Sequence, residues 1–132
     1  MIIDKPLLDT LTAQAKASPR LRCNFDLRNN PEDDSQRMLN AIEPGADMPI
    51  HRHRTTSETV VCLRGKVVEE FFAEPSHTCT AAVVLTPAGP NVAVNVLIGQ
   101  WHRLRSLFPG SEVLSVKDGG GIRCMKGNVL GM

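Results

Sequence analysis

From Arg37 onward, short segments rich in β-branched residues alternate with glycine and proline breakers. This pattern is typical of short antiparallel strands joined by tight turns. It predicts seven strands, at residues 37–43, 58–63, 66–73, 80–86, 92–98, 101–108 and 113–117. Seven or more short strands at this spacing indicate a β-sandwich or a β-barrel.

One helix is predicted before the strands, over residues 4–17. Asp4 is a suitable N-cap, Pro6 suits the first turn, and Ser18-Pro19 ends the helix because a proline disfavours the α conformation of its predecessor. The apolar residues recur at helical spacing: Leu7, Leu8, Leu11 and Ala15. We therefore expect a single domain, with a helix and extended arm over 1–36, a barrel over 37–118 and a glycine-rich tail over 119–132.

Length and charge exclude several classes of function. The chain has 132 residues, and its 15 basic and 14 acidic residues give a net charge of +1, so no strong field would attract nucleic acid or an anionic membrane. No apolar run approaches the roughly 20 residues of a membrane span. The polar start and four cysteines without C-x-x-C spacing predict a cytoplasmic protein with reduced thiols.

Two histidines and a glutamate form the first candidate site. His51 and His53 are two residues apart, so on a strand their side chains point the same way. Glu58 has an odd offset from both and can join them only if residues 54–57 turn the chain. Imidazole and carboxylate groups that converge in this way are typical of transition-metal sites.

The spacing Gly45-x5-His51-x-His53-x4-Glu58-x6-Gly65 resembles the first signature motif of the cupins. The second cupin motif is partly present as residues 99–102, Gly-Gln-Trp-His, with Leu97 at a usual proline position and Ser106 at a usual asparagine position. The resemblance implies an all-β double-stranded β-helix, a jelly-roll-like barrel. It also implies four metal ligands: His51, His53, Glu58 and His102.

A narrower resemblance covers roughly residues 2–119. The segments 18–22, 37–45, 49–53, 58–65 and 116–119 look like the WbuC family. Members of that family resemble small cupin-fold metalloproteins and tend to be encoded with enzymes of bacterial O-antigen and other surface polysaccharides. The end of this chain departs from the usual family ending.

These features leave three hypotheses open. The first is an enzyme of isomerase or oxygenase type that binds one divalent transition metal per chain (Fe, Mn, Ni or Zn) and acts on a small polar or sugar-derived molecule. The second is a non-catalytic sugar-binding or sensing module, and the third is a structural role in a dimer. A further titratable group inside the barrel would favour the first. Glu69 is a candidate because it shares one side of its strand with Val67 and Phe71, and parity leaves open whether that side faces inwards or outwards. The chain has no tyrosine, which excludes the metal-free epimerase mechanism that uses a tyrosine acid.

Other polar residues are candidates for substrate binding, because guanidinium and amide groups suit a carboxylate, phosphate or sugar-nucleotide ligand. They are Arg22, Asn24, Arg37 and Asn40. The alternative is that they form surface salt bridges with Asp26, Asp33 or Asp34. Cys62 is predicted to be a buried packing thiol, His77 a surface residue and Trp101 a residue outside the barrel. Exposed strand edges predict a homodimer.

Overall fold

The structure is a computed structural model that describes residues 1–119. One helix, α1 (Lys5–Ala17), precedes eight strands. The strands are β1 (Arg22–Asp26), β2 (Ser35–Ile42), β3 (Glu58–Arg64), β4 (Val67–Phe72), β5 (Cys79–Leu85), β6 (Ala93–Val96), β7 (Trp101–Ser106) and β8 (Ser111–Asp118). The predicted tail lies outside the described residues, except for Gly119.

The helix and all seven predicted strands are present, with ends that differ by a few residues. The eighth strand, β1, lies in the segment predicted to be an extended arm, because the residues of this segment are mostly polar. In the structure β1 pairs along its whole length with β2, from Arg22 opposite Ile42 to Asp26 opposite Met38. Its register places Cys23 and Phe25 towards the helix, so the segment has the alternation of a half-buried strand.

The strands form two antiparallel sheets. The larger sheet has the order β1-β2-β8-β3-β6, and the smaller has the order β5-β4-β7. Their inner faces meet in an apolar core of Ile42, Val60, Cys62, Val67, Leu85 and Val113. Cys62 is 3% exposed in this core, which confirms it as a packing thiol.

The helix packs on the outer face of the larger sheet. Its N-terminus is capped by the Asp4 carboxylate, which accepts a hydrogen bond from the Leu7 amide at 3.1 Å. Leu11 and Ala15 are buried against Leu39 and Ala41 of β2. No helix within residues 1–119 is long and apolar enough to cross a membrane.

Arg64 links the helix to the barrel. Its guanidinium donates to Asp9 at 2.6 Å, to Thr12 at 3.1 Å and to the fully buried Glu112 at 3.0 Å. Because Arg64 is the last residue of β3, this network joins α1, β3 and β8 at one point.

Gly65 makes the tight connection between β3 and β4. Its φ is +77°, in the region that side chains disfavour, and a Cβ atom there would lie 2.7 Å from the Ser111 Cα atom. The Ser111 hydroxyl donates to the Lys66 carbonyl and accepts from the Lys66 amide, so β8 is held close to this turn. The glycine is therefore required both by backbone conformation and by space.

We predict that Gly65→Ala destabilises the protein by about 1–3 kcal/mol more than Gly110→Ala. Gly110 has a nearly identical φ of +78°, but a Cβ there would meet only a methyl group at 4.0 Å. Both variants carry the strain of a left-handed residue, and Gly65→Ala adds the cost of overpacking against Ser111. Urea unfolding of both variants measures the difference, and equal losses of stability would show that the close approach of Ser111 costs nothing.

Candidate metal centre

Four side chains converge at one end of the barrel interior: His51, His53, Glu58 and His102. Each offers one ligand atom, and these atoms all lie within 4.8 Å of one another. The two histidines of the first motif lie in the loop before β3, Glu58 begins β3, and His102 lies in β7. The structure therefore brings together all four predicted ligands, from both sheets.

The backbone fastens the histidine loop to β7. His51 and His102 form an isolated antiparallel bridge, in which each amide donates to the carbonyl of the other at 2.9 and 2.8 Å. Their ring centroids are 4.3 Å apart as a result. A third bond, from the Gly99 amide to the His53 carbonyl at 2.7 Å, fixes the loop to the turn before β7. Gly99 has a φ of +79°, which that turn requires.

Glu58 reaches the histidines because the chain bends at residues 54–55 before β3 begins. This is the turn on which the predicted grouping depended. Glu58 Oε1 lies 3.5 Å from His53 Nε2 and 3.7 Å from His102 Nε2. Its other oxygen accepts a short hydrogen bond from Ser115, so the carboxylate is held in place from both sides.

Hydrogen bonds to the outer ring nitrogens orient two of the imidazoles. His51 Nδ1 lies 3.1 Å from the Pro49 carbonyl, and His102 Nδ1 is hydrogen-bonded to Glu69. Both partners are acceptors, so we infer that Nδ1 carries the proton and that the lone pair is on Nε2. A carboxylate or carbonyl behind the ring is the usual support of a metal-ligating histidine.

Two of the buried ring nitrogens make no hydrogen bond with any of residues 1–119. They are His53 Nε2 and His102 Nε2, and both face the Glu58 carboxylate. Buried polar atoms are normally satisfied, because an unmade hydrogen bond costs free energy. Unpartnered nitrogens that converge with a carboxylate fit the donor set of a divalent transition metal.

Burial and the neighbouring groups determine the charges at the site. Desolvation, reinforced by His102, lowers the pKa of His51 to about 4, so this imidazole is neutral at pH 7. Burial alone would raise the pKa of Glu58, but the His53 imidazole and the Ser115 hydroxyl outweigh it and lower the pKa to about 2. Neutral imidazole and ionised carboxylate are the protonation states that metal binding needs.

Glu69 lies inside the barrel, which decides the direction that strand parity left open. It shares the inner face of β4 with Val67 and Phe71, and it is 0% exposed. One carboxylate oxygen bonds His102, and the other is buried without a partner. Desolvation raises the pKa of this carboxyl group, although the hydrogen bond to His102 opposes the shift.

A cavity of about 430 Å³ opens beside the four-residue group. Its polar lining includes Arg22, Asn40, Glu69 and Ser115. Its apolar lining is formed by Ile42, Met48, Pro49, Val60, Leu104 and Val113. The cavity therefore has polar groups at the histidines and at Arg22 and Asn40, and the rest of its wall is largely apolar.

The structure separates the four residues predicted to bind substrate. Arg22 and Asn40 line the cavity. Asn24 pairs with Asn40 in the sheet but is exposed and outside the lining, and Arg37 donates to the Leu27 carbonyl and lies 3.6 Å from Asp33. Arg37 thus forms one of the ion pairs considered as the alternative.

Sequence reasoning missed several residues at the site. Ser115 and Lys117 come from β8, and the Lys117 ammonium lies 3.4 Å from His53 Nδ1. Alternation along β8 indicates that Ser115 and Lys117 lie on the same face of the strand, but nothing in the sequence shows that β8 lies beside β3. His77 is half-buried rather than simply at the surface, with its ring edge-on to Trp101 on the outer side of β7. Trp101 lies outside the barrel, as predicted.

A family model described as a domain of unknown function (DUF6016) matches residues 3–85. The chain belongs to the DUF6016 family. No curated protein sequence matches this DUF6016 chain.

Solved structures resemble the DUF6016 chain in fold at low sequence identity. KdgF from Halomonas sp. has a TM-score of 0.60 and 18% identity, over 77% of this chain and 82% of KdgF. Oxalate oxidase in complex with the substrate analogue glycolate has a TM-score of 0.61 and 12% identity, over 80% of this chain and 54% of the oxalate oxidase chain. The cupin domain of Schizosaccharomyces pombe Cnp3 has a TM-score of 0.58 and 12% identity, over 74% of this chain and 64% of the Cnp3 chain.

These likenesses show the fold. The DUF6016 chain has the predicted all-β cupin barrel with a short N-terminal helix. It spans most of KdgF but only about half of the oxalate oxidase chain. The narrower resemblance to the WbuC family stays a prediction.

The pKa of His51 predicts a loss of stability in acid for the metal-free protein. The unfolded chain protonates this histidine near pH 6.5, whereas the folded chain does so only near pH 4. The unfolded state therefore binds more protons in this interval, and the free energy of unfolding falls by about 3 kcal/mol as the pH is lowered through it. Below pH 4.5 the low pKa of Glu58 adds a second loss.

Urea unfolding at several pH values in the presence of a chelator measures this effect. His51→Ala should flatten the dependence between pH 6.5 and 4, while His77→Ala, outside the group, should leave it as in the wild type. An unchanged slope in His51→Ala would contradict the assignment.

Proposed function

We propose that this DUF6016 protein is a metal-dependent cupin enzyme whose metal is held by His51, His53, Glu58 and His102. The observation that carries the proposal is the convergence of three imidazoles and one carboxylate, with two buried ring nitrogens that have no other partner. One divalent transition metal per chain (Fe, Mn, Ni or Zn) fits these ligands. Four protein ligands leave two positions of an octahedral ion for water or substrate.

Within this proposal each residue around the group has a defined task. A bound divalent ion supplies Lewis-acid polarisation of a substrate oxygen, or redox chemistry if it is iron or manganese. Glu69 and the Pro49 carbonyl orient the His102 and His51 rings, and Ser115 orients the Glu58 carboxylate. The apolar wall excludes water from the side of the cavity away from the ligands.

An enzyme is favoured over a binding module by the position of Glu69. Support of the His102 ring uses only one oxygen of the Glu69 carboxylate, and a module that only binds a ligand has no need of the second oxygen. Glu69 lines the cavity with one oxygen unpartnered, so it can hold a proton beside a bound molecule. Reactions of isomerase or oxygenase type both fit such a site.

The finer parts of the proposal concern the substrate and its setting. A small polar or sugar-derived substrate, in bacterial surface-polysaccharide or O-antigen biosynthesis, is supported by the resemblance to the WbuC family. A cytoplasmic location is supported by the free thiols of Cys23, Cys62 and Cys79. A homodimer is supported by β5, an edge strand with residues 79–82 exposed.

We expect purified untagged protein to contain one equivalent of metal per chain, and His51→Ala to lose most of it. The reason is that the variant removes one of four ligands and leaves the others in place. Plasma mass spectrometry measures the metal, and circular dichroism confirms the fold. His77→Ala is the matched control and should keep the metal, whereas metal-free wild-type protein that cannot be loaded would refute the proposal.

Glu69→Gln should weaken metal binding by about 10- to 100-fold, as is typical when the hydrogen-bonding partner of a ligating histidine is changed. Glu70→Gln is the control on the same strand, because Glu70 faces outwards and pairs with Arg103 and Arg105. Competition with a coloured chelator compares the affinities. Equal affinities in the two variants would show that Glu69 does not support His102.

A further inference from the structure

Arg22 is half-buried but has no carboxylate partner among the described residues. Within residues 1–119 it forms no ion pair, and the one hydrogen bond of its guanidinium goes to the Met48 sulfur atom at 3.2 Å. Six other arginines pair with carboxylates: Arg28, Arg37, Arg52, Arg64, Arg103 and Arg105. A half-buried cation with a thioether as its only partner is poorly compensated.

Arg22 lies beside the metal centre, at the edge of its cavity. Arg22 lines the cavity of the metal centre and also a groove formed by Pro19, Arg20, Gly45, Asp47 and Pro49. It therefore lies where the cavity and the groove adjoin. The Asn40 amide lines the same cavity from the adjacent strand and adds both a donor and an acceptor.

The size of the cavity suits a small molecule. Arg22 and the metal ligands line the same cavity, and its volume of about 430 Å³ is within the range of small-molecule pockets. The rest of the wall is formed largely by aliphatic side chains, among them Ile42, Val60 and Leu104. Such a wall suits a compact body with few hydroxyl groups.

We propose, resting on the proposed metal site, that the substrate is a small carboxylate whose carboxyl group pairs with Arg22 and whose other oxygen reaches the metal ligands. The planar guanidinium can donate two parallel hydrogen bonds to a carboxylate. Among residues 1–119, Arg22 is the one arginine that lines the cavity. One guanidinium matches the single charge of a carboxylate better than the charge of nearly −2 on a phosphate monoester.

The test uses two probes of nearly equal shape, 3-methyl-2-oxobutanoate and its neutral amide. Calorimetric titration into manganese-loaded wild-type protein should show the carboxylate binding about 10- to 100-fold more tightly, as expected for hydrogen bonds to a charged group. In Arg22→Gln this preference should disappear. Arg22→Lys keeps the positive charge but loses the two parallel donors of the guanidinium, so it should retain part of the preference for the carboxylate.

Arg20→Gln is the matched control. Arg20 lines the groove but not the cavity, so its loss should leave the preference for the carboxylate unchanged. Equal binding of the two probes, no binding of the carboxylate at millimolar concentration, or an unchanged preference in Arg22→Gln would overturn the inference. Tighter binding of inorganic phosphate than of the carboxylate would overturn it too.

The metal content of each protein separates this inference from the proposed function. Arg22→Gln should keep one equivalent of metal, since Arg22 is not among the ligands. Wild-type protein that contains its metal but binds the carboxylate and the amide equally refutes the carboxylate inference alone. Wild-type protein that takes up no manganese or other divalent metal refutes the metal site on which the inference rests.

Discussion

The two backbone hydrogen bonds between His51 and His102 are the contact on which the metal centre depends. They join a loop that leads into the larger sheet to a strand of the smaller one. Glu58 then meets these histidines from the first residue of β3. No single segment could supply this geometry, so the four side chains come together only when the barrel closes.

The same closure leaves unfavourable interactions in the metal-free protein. Imidazoles packed with ring centroids 4.3–5.7 Å apart cannot readily be protonated together, and two of their nitrogens are buried without partners. Interior hydrogen bonds from Ser115 and to Glu69 hold the site in place against this cost. Folding itself orders these side chains, so the free energy of unfolding is lower by the cost of holding them together. Metal binding then requires little further ordering of the ligands.

The sequence was most informative where local patterns determine structure. Alternation predicted the strands and grouped Glu69 with Val67 on one side of its strand, and the motif spacing predicted which four side chains meet. It was least informative about strand pairing. Arg37 and Asn40 are both polar residues of β2, and only the position of the helix on one face decides that Arg37 lies on the helix side while Asn40 lines the cavity.

The unpredicted strand β1 illustrates the same limit. Its five residues are mostly polar, so composition alone indicates a loop, and its structure depends on pairing with a neighbour more than ten residues away. Ser115 and Lys117 were missed for a related reason. Their part in the site follows from the register between β8 and β3, which pairs Lys117 with Glu58, and registers between distant strands are set by the whole sheet.

The helix has an effect on the cavity that it never touches. In β1 and β2 alternate residues face opposite ways, so Cys23, Leu39 and Ala41 pack under α1 while their neighbours Arg22 and Asn40 line the cavity. The two strands are thus a thin partition with the helix on one side and the binding space on the other. Changes in side-chain volume beneath the helix would move the backbone of this partition, so the recognition properties of the cavity can be tuned from the outer surface of the barrel, through residues that never meet the ligand.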